Sequence, residues 1–352
     1  MRQADMYPAD INQTEKNLTP ATSFAHRHAA HCESGSVANL LSHYGRPLSE
    51  PMAFGLGSGL SFAYLNFIRI QEMPLIAYRA PPRGIIKGVS ASLGIPFQVE
   101  RFRSPSAGTA RLDALLDQGR VVGLQTSVFW LPYFPEDMRF HFNAHNLVVY
   151  GREGDDYLIS DPVFEHPVRC PRADLERARF AKGMLEPKGL LYYPRAATQA
   201  LQLNQVVTPD NITRSIRRVA RTMLAPVPIV GTRGMRWLAR RIARLDPKDA
   251  ATSRLIGHIV RMQEEIGTGG GGFRFLYAAF LQEAAESGSM PVLAEFSARL
   301  LDIGDEWRAF ALASARMVKG RDAFDPPAIA ALLSAQADRE AVFFRDLRRA
   351  LA

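Results

Sequence analysis

At about residue 205 the spacing of the apolar positions changes. Before it, helical and strand periods alternate along the chain. In "VANLLSHY", Val37, Leu40, Leu41 and Tyr44 stand at helical spacing, and Gly45 is placed to end the turn. This predicts an amphipathic helix with Cys32 near its first turn. "PFQVERF" alternates as a strand, "TARLDALLDQG" reads as a helix closed by glycine, and "VVGLQTSVFW" reads as a buried strand. The aromatic stretch "LPYFPEDMRFHFNA" has two prolines and no period. "HNLVVYG" and "YLISDP" then flank the turn "REGDD", which predicts a β-hairpin.

Beyond residue 205 the patterns are helical. "NITRSIRRVARTMLA", "TRGMRWLARRIARL", "ATSRLIGHIVRMQEEIG" and "FRFLYAAFLQEAAE" each read as a helix, as do 291–319 and 326–351. Leu293, Phe296, Leu300, Ile303, Trp307 and Phe310 form an apolar stripe. "GTGGGG" separates two of these helices. The expected layout is a tail over residues 1–23, an α+β domain over 24–197, a linker near "RAATQALQLNQ" and an all-helical domain over 205–352.

Composition narrows the class. The 352 residues are 47% hydrophobic and 22% charged, ordinary for a globular chain. No apolar run reaches the ~18 residues a membrane span needs, and the opening lacks the apolar core of a secretory signal. Two cysteines, Cys32 and Cys170, are too few for a disulfide framework, so a cytoplasmic, reducing setting is expected. The net charge of +8 is unevenly placed: nine arginines and no acidic residue lie between Arg214 and Arg244. Such a face is either simply solvated or fitted to an acidic partner. No nucleic-acid motif accompanies it.

The chemistry gathers around Cys32. A helix N-terminus stabilises a thiolate, and its free amides can hold an oxyanion. His145 begins one strand of the predicted hairpin and Asp161 ends the other, which makes the two neighbours. Asp161 can then orient His145, and His145 can activate Cys32. The order cysteine, distant histidine, then aspartate is papain-like, and it resembles the peptidase domains of bacteriocin exporters. The cluster His26, His28, His31 and Cys32 lacks the usual zinc spacing, so no metal is expected. "FGLGSGLSFAYLNF" lacks the ending of a phosphate loop and is read as a tight turn bringing backbone to the site. Cys170, before a proline, is read as structural.

"FAHRHAAHCESGSVANLLSHYG", "LSEPMAFGLGSGLSFAYL" and "HNLVVYG…YLISDP" resemble the N-terminal domain of the butirosin biosynthesis protein H-like family. "SIRRVARTMLAP", "GTRGMRWLARRI" and "GTGGGGFRFLYAAFLQEAAE" are similar to the helical domain that accompanies it. The resemblance spans roughly residues 24–350 and implies a papain-like cysteine acyltransferase followed by a helical lid or docking domain. By motif, Cys32 is the nucleophile, His145 the base and Asp161 its orienting partner. The implied donor is a thioester on an acidic acyl carrier protein, which brings its own phosphopantetheine, so no cofactor is expected. The implied acceptor is a small-molecule amine or hydroxyl. A chain-releasing thioesterase, a cyclase or a peptidase-like hydrolase would use the same three residues. His31, Gly57, Ser58, Trp130, Phe134 and Asn146 are the expected substrate contacts. Arg214, Arg217, Arg218, Arg221, Arg236 and Arg240 are the expected docking residues. Papain-like peptidases place an oxyanion glutamine a few residues before the cysteine. Here that stretch holds only His26, Arg27, His28 and His31, which leaves the Cys32 amide as the expected donor.

Overall fold

Four helices open on the same local chemistry. Ser49, Ser104, Thr208 and Asp325 each accept the backbone N–H three residues on, and a proline occupies the first or second helical position. The structure, a computed structural model, describes residues 24–70, 72–195, 207–266, 268–287 and 289–351. The expected tail and nearly all of the expected linker lie outside the described residues.

The first part of the chain runs through helices α1 (Cys32–His43) and α2 (Glu50–Leu56) into hairpin strands β1 (Leu60–Ile70) and β2 (Met73–Arg79). Helix α3 (Gly84–Leu93), strand β3 (Phe97–Glu100), helix α4 (Pro105–Asp117) and strand β4 (Val122–Thr126) follow. Next come β5 (His145–Glu153), β6 (Asp156–Ser160), β7 (Val168–Pro171), α5 (Arg172–Arg179) and β8 (Leu191–Pro194). The rest is helical: α6 (Pro209–Met223), α7 (Gly231–Ile242), α8 (Ala250–Glu264), α9 (Arg274–Glu286), α10 (Val292–Val318) and α11 (Pro326–Ala350). None of the described helices is long and apolar enough to cross a membrane.

Six strands form one antiparallel sheet in the order β3-β8-β4-β5-β6-β7. Side chains alternate across it, as a pleated strand requires. Leu191 and Tyr193 pack with α4 and α5 on one face, while Tyr192 and Val148 pack with α1 on the other. The predicted hairpin is β5–β6, with Glu153 opposite Asp156 across a two-residue turn. The predicted strand "VVGLQTSVFW" stops at Thr126, and Val128–Trp130 turns into a short 3₁₀ segment.

Helix α1 departs from its expected amphipathic form. Residues 32–41 are buried on every side, between the sheet and helices α2 and α3. The two halves of the chain pack closely at their junction. The β1–β2 hairpin packs against α6, α7 and α8, and the Tyr64 amide bonds the Ile229 carbonyl. Gly55 in α2 lies under the Phe280 ring of α9, and a β-carbon there would overlap the ring. The core is therefore continuous from Leu40 and Phe54 to Trp307 and Phe344. The stripe from Leu293 to Phe310 is buried within it.

One ion pair is enclosed in this core. Arg274 donates two hydrogen bonds to the Glu340 carboxylate, both 2.8 Å, and a third to the Gly272 carbonyl at 2.7 Å. Trp307 Nε1 donates to the same carboxylate at 2.7 Å. Removing one member of such a pair strands the other charge without water. Glu340→Ala should therefore lower stability by about 3–5 kcal/mol, read as a fall in the urea midpoint of the full chain. An unchanged midpoint would contradict the enclosed pair.

Candidate active site

The loop before α1 is fastened before the cysteine is presented. Glu50, at the start of α2, accepts the amides of Ala30 at 2.8 Å and His31 at 2.7 Å, together with the Ser34 hydroxyl at 3.0 Å. The Ala29 amide bonds the Pro162 carbonyl at 2.6 Å, which ties the loop to the end of β6. His31 caps α1, its Nδ1 accepting the Ser34 amide at 3.3 Å. Cys32 is the first helical residue and is 7% exposed.

Strand β5 delivers His145 and the end of β6 delivers Asp161. His145 Nε2 and Asp161 Oδ2 are 2.7 Å apart, and both side chains are buried. Asp161 occupies one ring nitrogen, and Cys32 lies close enough to the imidazole to help hold its charge. Asp161 is itself held: Oδ2 also accepts the Tyr133 hydroxyl at 2.9 Å, and Oδ1 accepts the Val163 amide at 3.3 Å. The Phe134 ring stands edge-on to His145, with centroids 5.4 Å apart. Burial alone would pull the His145 imidazole down. The Asp161 charge and hydrogen bond, with a further push from Cys32, override it and raise His145 to about 10. A cysteine at a helix N-terminus, a histidine beside it and an aspartate behind that histidine are an arrangement in which a thiol can be activated for attack.

Glu33, next to Cys32, is engaged elsewhere. It pairs with Arg79 at 3.2 Å and accepts the Ile85 and Ile86 amides at the start of α3. Burial raises its carboxyl, and Arg79 and those amides oppose the rise.

The other expected contacts divide. His31 and Phe134 adjoin the three residues. Asn146 lies on β5 but accepts from Tyr192 on the α1 side of the sheet, at 3.2 Å. Trp130 stands apart with Arg177 over its ring, in a groove of about 360 Å³ lined also by Phe129, Pro132 and Arg139. Gly57 and Ser58 do not reach the site. The turn they form approaches α3, where a β-carbon on Gly88 would meet the Gly57 carbonyl, and Ser58 Oγ bonds the Ser215 carbonyl of α6. The close backbone approach expected of this turn thus serves helix crossing. Among the expected docking residues, Arg214 pairs with Asp210, Arg236 with Asp338, and Arg217 bonds the Leu351 carbonyl. Arg218, Arg221 and Arg240 are exposed and make no ion pair among the described residues. Cys170 is buried, its thiol pushed up to about 12 by burial and by Asp174 and Asp156, which leaves it inert.

Sequence reasoning missed Tyr133, Glu50 and Phe273. Tyr133 sits in an aperiodic loop, and nothing local ties it to Asp161. Glu50 follows a helix-capping serine and reads as ordinary helix-start chemistry. Phe273 reads as the first turn of a helix, whereas it holds a positive φ of 70° and stacks on Phe54 beside His31.

Residues 31–162 match a family model described as butirosin biosynthesis protein H, N-terminal, and residues 173–347 match a domain of unknown function, DUF4872. No curated protein matches the chain. One similar solved structure, described as a C39-like peptidase from Bacillus anthracis, is 15% identical with a TM-score of 0.35. It covers 50% of this chain and 96% of its own.

The raised His145 makes a testable statement. Its ordinary value is 6.5, so the stability it contributes is complete below pH 6.5 and is lost as pH rises toward about 10. In Asp161→Asn the raising charge is gone and burial remains. The His145 titration, followed by NMR, should fall well below its parental position near 10, and the decline in stability between pH 6.5 and 10 should shrink. A titration that stays near its parental position would contradict the assigned cause.

Proposed function

The chain belongs to the butirosin biosynthesis protein H-like two-domain family, and on that premise we propose that it is a cysteine-dependent acyltransferase of antibiotic biosynthesis. In this reading it takes an acyl group from a thioester on an acyl carrier protein and passes it to an amine or hydroxyl of a small molecule. The observation that carries the proposal is the convergence of Cys32, His145 and Asp161 at a buried helix N-terminus.

The Cys32 thiolate attacks the thioester carbonyl, and the new C–S bond sends the carbonyl electrons onto oxygen. The Cys32 amide meets that oxygen at the helix end. As the carbonyl re-forms, the bond to the pantetheine sulfur breaks, and this sulfur leaves with the proton of the His145 imidazolium. The acceptor then attacks the acyl-enzyme while His145 takes its proton, and the Cys32 thiolate is released beside the imidazolium. Transfer requires that water be kept from the acyl-enzyme. The burial of Cys32, His145 and Asp161 favours transfer over hydrolysis by the same residues.

Carrier proteins are acidic, and Arg218, Arg221 and Arg240 present positive charge on α6 and α7. Reversing all three to glutamate should raise KM for the acylated carrier by about tenfold while kcat on a small soluble thioester stays unchanged. Equal KM values for both forms would remove this surface from the proposal.

The direct test is intact mass after mixing the protein with acylated carrier proteins. The expected result is an acyl adduct on Cys32, absent in Cys32→Ala, that disappears with formation of an acylated amine when acceptor is added. Decay at the same rate in water alone would mark a hydrolase. Absence of any adduct would remove the acyl-enzyme from consideration.

A further inference from the structure

We infer that His31 is a catalytic residue: its Nε2–H, with the Cys32 amide, holds the acyl carbonyl oxygen as that oxygen becomes negative. The inference deepens the acyl-transfer reading and rests on it.

His31 Nδ1 faces two Ser34 groups: the amide, which can only donate, at 3.3 Å, and the hydroxyl, which can donate or accept, at 3.0 Å. In the tautomer assigned to this role, Nδ1 accepts from the amide and Nε2 carries the hydrogen, with the hydroxyl turned between Nδ1 and Glu50. This nitrogen is buried and has no hydrogen-bond partner among the described residues. Its aromatic neighbours are apolar: Phe54 and Phe273 both stand edge-on to the ring, at 6.3 and 5.1 Å between centroids. A buried donor left without an acceptor is costly, which makes it a feature a bound group would relieve.

The surrounding groups are already committed. Glu50 takes the amides of Ala30 and His31, His31 takes that of Ser34, and the His31 carbonyl takes that of Gly35. This leaves the amides of Cys32 and Glu33 at the helix end. His26, six residues before the cysteine, is occupied: Nδ1 meets the Ser160 hydroxyl at 2.7 Å, and Nε2 donates to the Phe164 carbonyl at 3.0 Å. His28 is exposed. His145 is engaged with Asp161 and Cys32.

Burial, followed by the positive charges of Arg79 and His145, holds His31 well below its ordinary value. The ring stays neutral and donates without competing with His145 for a proton. In the acylation step described above, His31 makes and breaks no bond. It supplies the second donor to the oxygen that receives the carbonyl electrons.

Two substitutions separate this role from helix capping. Asparagine places its amide where Nδ1 lies, which keeps the cap and removes the Nε2 donor. Glutamine reaches the Nε2 position with an N–H but loses the cap. The probe is an acyl-N-acetylcysteamine thioester on the full chain, with Cys32 acylation followed by intact mass. Alkylation of Cys32 by iodoacetamide serves as the control, because it develops no oxyanion. His31→Asn should be alkylated at the parental rate but acylated roughly 100- to 1,000-fold more slowly. His31→Gln should melt lower yet recover at least about tenfold of the lost acylation. A His31→Asn that acylates like the parent overturns the inference, as does one that loses alkylation and acylation together. If the parent is alkylated but never acylated, the acyl-transfer reading fails first and takes this inference with it.

Discussion

Glu50 holds the turn into α1, and the N-terminus of that helix is organised by which amides are answered and which are left open. Glu50 answers two amides, the His31 ring a third, and the Pro162 carbonyl fixes the loop just before them. These contacts come from α2, from α1 itself and from the end of β6. They hold Cys32 against His145 and Asp161, which lie on strands more than a hundred residues away in sequence. The first helical amides remain available at the place where a thioester oxygen would develop charge. Site and fold are thus the same set of hydrogen bonds.

The helical half acts on this site through packing. Glu340 on α11 holds Arg274 at the start of α9, and Arg274 holds the Gly272 carbonyl. Gly269 to Gly272 all have positive φ, a path open to glycine at little cost, and the path continues into Phe273. That residue is set against Phe54 and the edge of His31. A buried charge pair whose arginine is next to Phe273 in the chain thereby fixes an aromatic wall of the site. The shared core from Leu40 to Phe344 explains why the position of this wall is built in.

Local pattern carried some of this structure and long-range pattern did not. The β5–β6 hairpin was legible because its strands and turn lie within one short stretch, and strand pairing then put His145 beside Asp161. The helical half was legible from its apolar stripes. Helix α1 read as amphipathic because its polar residues are small serines, Asn39 and Glu33. Their partners, such as Arg79, the α3 amides and the Arg27 carbonyl, are remote in sequence. The β1–β2 hairpin was obscured by the glycine cluster before it, which serves the crossing of α2, α3 and α6. Counting arginines marked a basic stretch but could not show that Arg214, Arg217 and Arg236 are engaged within the chain.

The reacting centre can be examined most directly by a crystal structure of the full chain trapped as its acyl-enzyme. The expected density joins the acyl carbon to Cys32 Sγ, with the carbonyl oxygen between the Cys32 amide and His31 Nε2 and with His145 still bonded to Asp161. An acyl group on another residue, or a carbonyl oxygen turned away from the N-terminus of α1, would contradict the central claim.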